Sequence, residues 1–305
     1  MKNNFLLILL VSFVGFSQKK KINEEYDYIN NYYQFVYEAQ YEYLKDNYQN
    51  AYDLLKKAES NCPLLKQGEI NEPQILSTCA AYLNKSEEAV HYLEILVRDY
   101  GFKFENSRID SINTNIRDLK SWKKLKRKAN KYYEAYVKRV DLDIRSEILK
   151  MKEEDQSVRI NRDYEGLKRV DSINDLKLRK IVADCDCFPD EMFPQFGNSS
   201  VDDQFFLATI FAFHINRERA EYWKPIFLDL IKRGRAPAEI YGSLIDSNLR
   251  GADKFEFGIY KGTKSEKIND YKNLDKRRIA VGLATWQLEK DILELITKKY
   301  NIKWD

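Results

Sequence analysis

Chain breakers are scarce in this sequence: 11 Gly and 6 Pro are spread over 305 residues. A fold of many short strands needs a turn residue every few positions, so this sparing use predicts long helices with few connections. Hydrophobic residues, at 44%, supply enough apolar surface for a packed core and exclude wholesale disorder. The expected class is mainly α: a short array of helical hairpins, then a C-terminal helical domain with little or no β structure. His91 and His214 are the only histidines, which excludes a multi-histidine metal centre. Neither a metal nor a cofactor is expected. The formal charge of +3 demands neither nucleic acid nor an acidic membrane as partner.

The first segment reads as an address. Lys2 precedes an apolar stretch at residues 5–16, and Gly15 and Ser17 are small residues placed for a cut before Gln18. The predicted signal peptide, 1–17, is too short for a comfortable membrane span. Its removal takes one Lys and leaves a charge of +2. The longest later apolar stretch, 205–213, is nine residues and reads as a core helix carrying Phe205, Phe206, Ile210 and Phe213, so no membrane span is expected after cleavage. The chain is therefore expected to be exported, periplasmic or secreted, where disulfides persist. Cys62 and Cys79 flank one inter-helix connection and can pair. In Cys185-Asp186-Cys187 the two thiols look too close for a relaxed bridge. That leaves free thiols, a bond to a partner chain, a redox pair or half a metal site.

From residue 26 to 98 the apolar spacing is helical. Small Ala39, Ala51 and Ala58, with Pro63 after them, and the turn Tyr48-Gln-Asn-Ala51 resemble a tetratricopeptide repeat, whose paired helices meet at small residues. A weaker second copy runs from Tyr82 through Ala89 to Leu93. The step from Ala51 to Ala89 is 38 residues, against a norm of about 34. The resemblance implies docking of a protein or peptide in a groove. Nine of the 21 tyrosines lie between residues 26 and 52, where a large apolar body with a polar tip suits a half-exposed contact surface. Phe35, Tyr37, Tyr41 and Tyr48 are the candidate binding residues. Between residues 119 and 140 there are nine Lys or Arg against Glu134 alone, with Trp122, Tyr132, Tyr133 and Tyr136 interleaved. This reads as the solvated face of a connecting helix, attracted to the acidic start of the repeat, and not as a nucleic-acid site.

After about residue 142 the pattern places acids where apolar residues belong. Ile144, Ile148, Met151 and Val158 form a helical stripe with Asp155 on it, and Arg159 stands four residues beyond Asp155. A second helix, expected after Gly166, carries Leu167, Leu178 and Ile181, with Asp171 and Asn174 on the same face. Buried carboxylates need partners; Arg159, Arg277 and Arg278 are the candidates, with Asp155–Arg159 and Asp171–Arg277 as the expected pairs. Pro225 is expected near the first turn of a later helix, and 255–260 as a short extended segment. Several pieces together resemble a bacterial family of unknown function over about residues 143–285. They are Met151-x-x-x-Asp155-Gln156-x-x-Arg159, Val170-Asp171-x-x-Asn174, Pro189, His214, Pro225, Asp246, Phe257-Gly258 and Asp275-x-Arg277-Arg278-x-x-Val281-Gly282-Leu283. The resemblance implies a helical domain, often beside repeats, without an assigned reaction.

The expected organisation is a signal peptide (1–17), tetratricopeptide-like repeats (18–118), a basic connecting helix (119–141), a C-terminal helical domain (142–291) and a tail (292–305). The function expected first is a protein- or peptide-binding module without nucleic-acid partners. The alternative is an enzyme, a hydrolase among the options, with its site drawn from Asp155, Gln156, Arg159, Asp171, Asn174, His214, Asp246, Arg277 and Arg278. Acid beside imidazole performs general acid–base work, and Arg holds an anionic substrate.

Overall fold

The computed structural model describes residues 26–65, 72–103, 116–189, 210–260 and 262–301. The apolar segment at 1–17, expected to be a signal peptide, lies outside the described residues, as do Phe205 and Phe206. The helices are α1 (Tyr28–Asn31), α2 (Tyr33–Leu44), α3 (Tyr48–Asn61), α4 (Glu72–Tyr82), α5 (Ser86–Tyr100), α6 (Lys120–Val137), α7 (Leu142–Ile160), α8 (Tyr164–Cys185), α9 (Ile210–His214), α10 (Arg217–Lys232), α11 (Glu239–Ser247), α12 (Leu274–Ile279) and α13 (Trp286–Tyr300). The chain is mainly α. Among the described residues no strand forms; the extended segment expected at 255–260 amounts to one isolated bridge between Phe255 and Ile268.

Helix starts follow local polar chemistry. Asp141, Asp163, Asn216 and Thr285 each accept a hydrogen bond from a backbone N–H of the first turn they precede, satisfying donors that the helix leaves open. Asp163 sets α8 starting at Tyr164, so Gly166 lies inside the first turn and not ahead of the helix. Pro225 is likewise in the interior of α10, not near its start as expected. The ring removes one helical hydrogen bond there, and the buried neighbours Trp223 and Phe227 hold the helix through it. Gly101 ends α5 at φ +69°, and a Cβ there would strike the Tyr136 ring of α6, so only glycine permits this turn and this approach.

The first helices pack as successive hairpins: α2 on α3, α3 on α4, α4 on α5 and α5 on α6. Ala39, Ala51, Ala58 and Ala89 are fully buried at these crossings, with Leu55 and Leu93 beside them. The basic stretch forms α6, which buries Trp122, Leu125, Tyr133 and Tyr136 and leaves most of its lysines in solvent. One apolar core runs from Tyr28 through the hairpins to Phe227, Leu244 and Ile292. The halves are stitched together by polar contacts: the Tyr33 hydroxyl donates to the Ala236 carbonyl at 3.2 Å, and Gln34 Nε2 to the Leu283 carbonyl at 2.9 Å. The expected tail from 292 is instead the second half of α13, which continues to Tyr300 and packs on α2. Ile292 is buried and Lys299 Nζ meets Asp46 at 2.5 Å. Among the described residues no helix is long and apolar enough to cross a membrane.

The cysteines depart from expectation. Cys62 and Cys79 are free, buried thiols, not a pair. Burial pushes Cys62 up to about 11 and Cys79 up to about 12, which keeps both neutral. Cys185 and Cys187 form the disulfide instead, across a Cα separation of 5.1 Å. The left-handed backbone of Asp186 between them brings the two side chains together.

Candidate functional site

The acids of α7 and α8 meet where those helices pack on each other. Ile148 and Met151 are fully buried, and Asp155 continues their stripe with 1% of its side chain exposed. An isolated carboxylate at that depth is costly, and this one is surrounded. Its Oδ1 lies 3.1 Å from Arg159 Nη2 and 2.9 Å from His214 Nδ1. Its Oδ2 accepts from Gln156 Nε2 at 2.6 Å and from Arg159 Nε at 3.2 Å. Arg159 Nη2 also reaches Asp171 Oδ1 at 2.7 Å, so one guanidinium bridges two carboxylates from neighbouring helices. His214 enters from the last position of the short helix α9. The turn after it is fixed by Asn248 Nδ2, which donates to the Ile215 carbonyl at 2.8 Å.

The two carboxyls are pushed in opposite directions. Burial raises Asp155, but the closeness of His214 and the hydrogen bonds and charge of Arg159 outweigh it and hold the group below the usual carboxylate range. Burial raises Asp171, and the attraction of Arg159 only partly offsets the rise. The difference has a geometric origin: Asp155 is ringed by donors, whereas Arg159 alone gives Asp171 a short contact.

Asp155, Gln156, Arg159, Asp171 and His214 thus converge as candidates. Asn174 is adjacent in the seam, with Nδ2 3.4 Å from the Met151 carbonyl and with Oδ1 buried and unpartnered. The remaining candidates serve elsewhere. Asp246 is fully buried and accepts from the backbone N–H groups of Glu256, Phe257 and Ile259 at 2.9–3.1 Å. Burial raises its carboxyl against those bonds; its role is to gather the 255–260 loop. Arg277, expected opposite Asp171, instead donates to the Glu256 carbonyl and pairs with Glu256 and Asp270. Arg278 donates to the carbonyls of Phe257 and Ala284 and pairs with Glu289 of α13.

Sequence reasoning missed Asp175 and Arg219. Asp175, 7% exposed, accepts from the Trp223 indole at 2.7 Å and from Arg179 at 2.8 Å. A signal existed in the i,i+4 spacing of Asp175 and Arg179, and in the need of a buried indole N–H for an acceptor. Arg219 donates to the Ser172 hydroxyl, while its Nη1 is buried without a partner.

A second feature lies on the N-terminal helical hairpins. Between α2 and α3 an open groove of about 480 Å³ is lined by Glu38, Tyr41, Glu42, Asn50, Asp53, Leu54 and Lys57. Of the four candidate binding residues, Tyr41 lines it directly. Phe35 is not part of the lining and is half-buried beneath the ammonium of Lys57, which is, at 4.4 Å. Tyr37 lies away from this groove: it is buried in the seam with α13 and stacked near Tyr33. Tyr48 stacks face to face on Tyr82 at 4.0 Å and donates to Asp46, joining the turns of the two hairpins. No family model matches this chain, and no curated protein or solved structure shows significant similarity to it.

Proposed function

We propose that this chain is an exported binding protein whose N-terminal hairpin array docks an extended, basic segment of a partner protein, with the C-terminal helical half acting as the attached interaction or regulatory module. The groove between α2 and α3 carries the reading. It places three carboxylates, Glu38, Glu42 and Asp53, around an apolar strip of Tyr41 and Leu54, with Lys57 in the lining and Lys45 paired to Glu42 over the Tyr41 ring. Glu38 and Asp53 are solvent-exposed. An aromatic and a Leu framed by like charges favour a ligand with apolar side chains between Lys or Arg residues. The stacked hairpins and the resemblance of Tyr48-Gln-Asn-Ala51 to a repeat turn support the same reading, as does the leader at 1–17 for export.

Fluorescence anisotropy with labelled peptides of about ten residues tests it. A Lys/Arg-rich peptide carrying an aromatic is expected to bind with Kd on the order of 1–100 μM at low salt and to weaken severalfold at 0.5 M salt. An acidic peptide of equal length is expected not to bind. Equal binding of both, or of neither, contradicts the proposal.

A second reading, an enzyme of the hydrolase type in the C-terminal half, draws on one observation: residues from three helices bring Asp155, Asp171 and His214 together around Arg159. It predicts turnover of an ester, phosphoester or peptide model substrate that is lost in His214→Ala. A panel without turnover contradicts it.

A further inference from the structure

The geometry points to a divalent transition-metal site formed by Asp155, Asp171 and His214, with Arg159 as the counter-ion that a Zn²⁺ or Mn²⁺ ion displaces. It is independent of both readings above. One donor atom from each of the three residues lies within 4.8 Å of the others. Ligands about 2.0–2.2 Å from a single ion stand up to about 4.4 Å apart when opposite and about 3 Å apart at right angles, so the three need shift by only tenths of an ångström.

The decisive detail is His214 Nδ1. It is buried and lies 2.9 Å from Asp155 Oδ1, yet it has no hydrogen-bond partner. The carboxylate oxygen therefore sits off the axis along which the ring N–H would donate. A ring nitrogen and a carboxylate oxygen that are this close but not aimed at each other are spaced as neighbouring ligands of one ion are. A second orphan lies in the same seam. Asn174 is 5% exposed, one helical turn after Asp171, and its Oδ1 has no partner while its amide nitrogen faces the Met151 carbonyl one turn before Asp155. Buried polar atoms without protein partners are uncommon, and ion binding is a recognised reason for them. Here they flank two carboxylates.

Charge and ligand type select the ion. Two carboxylates against the one guanidinium that contacts both leave one negative charge uncompensated beside the imidazole ring. The Arg159 side chain is 27% exposed, which gives it a path to solvent. Imidazole with carboxylates suits Zn²⁺ or Mn²⁺, whereas Mg²⁺ and Ca²⁺ prefer sites built of oxygen alone.

The test uses the metal alone as probe, on the full chain stripped with chelator and with its Cys185–Cys187 bridge intact. Calorimetric titration is expected to show one site for Zn²⁺ or Mn²⁺, weakened at least tenfold in Asp171→Asn and in His214→Ala. Pulsed EPR of the Mn²⁺-loaded chain is expected to show nitrogen coupling that His214→Ala removes. Arg159→Gln leaves two carboxylates without their cation. Its melting temperature is expected to fall in chelator and to recover on adding the ion, and its ion affinity to rise at least tenfold. The proposal is overturned if no ion binds, if Asp171→Asn and His214→Ala bind as the parent does, or if Mg²⁺ binds as tightly as Zn²⁺ and Mn²⁺. It is also overturned if Arg159→Gln melts at the same temperature with and without the ion.

Discussion

Replacing Arg278 with Met lowers the stability of the whole chain by about 3–5 kcal/mol, the usual cost of breaking a buried, bonded charge. Arg278 is 1% exposed, and its guanidinium has three different attachments. Nε donates to the Ala284 carbonyl at 2.6 Å, Nη1 to the Phe257 carbonyl at 2.5 Å, and Nη2 meets the Glu289 carboxylate. One side chain thus ties the loop that Asp246 gathers, the turn before α13, and α13 itself. Because α13 packs on α2, the loss reaches the N-terminal hairpins. Met fills similar volume but leaves the carbonyls of two buried residues, Phe257 and Ala284, without that donor. At roughly 2–4 °C per kcal/mol for a domain of this size, the melting temperature falls by roughly 10 °C. A loss below about 1 kcal/mol by urea unfolding contradicts this role.

Replacing Glu72 with Gln changes how stability depends on pH. Glu72 opens α4 but is 2% exposed, and the Tyr32 hydroxyl donates to its Oε1 at 2.8 Å. Burial raises its carboxyl from an ordinary 4.5 to about 8. Between those values the folded chain keeps a proton that the unfolded chain has lost. Its contribution to stability is therefore complete below about pH 4.5, declines as the pH rises, and is lost above about 8. At 1.36 kcal/mol per pH unit the loss is on the order of 5 kcal/mol across that window. Glu72→Gln has no such proton. The difference in unfolding free energy between variant and parent is expected to grow in the variant's favour from pH 5 to pH 8. Parallel stability curves for the two proteins would contradict a neutral Glu72.

How far the sequence can be read is clear from individual residues. Helix class, the small-residue crossings at Ala39 and Ala51, and the Asp155–Arg159 pair follow from local spacing, because 3.6-residue periodicity specifies which face a side chain takes. Periodicity does not specify what meets that face. The spacing predicts Asp171 on the inner side of α8, where it lies, but its partner is Arg159, set by how α7 crosses α8, and not Arg277, which the fold commits to Glu256 and Asp270. His214 reaches Asp155 across 59 positions of sequence, a meeting only tertiary packing decides. Glu72 left no trace at all, since an acid at a helix start is ordinarily a solvated one. The cysteine reading failed on a local detail: spacing argued against a bridge between Cys185 and Cys187, but the left-handed backbone at Asp186 brings the two together.

The most direct test of the docking proposal is charge reversal in the groove. Glu38 and Asp53 are exposed on α2 and α3, so Glu38→Lys with Asp53→Lys leaves the core untouched. The double variant is expected to fold with an unchanged melting temperature and to bind the basic peptide at least tenfold more weakly than the parent at low salt. It is also expected to acquire affinity for the acidic peptide. Unchanged affinity of the folded double variant for the basic peptide would contradict the assignment of this groove as the docking site.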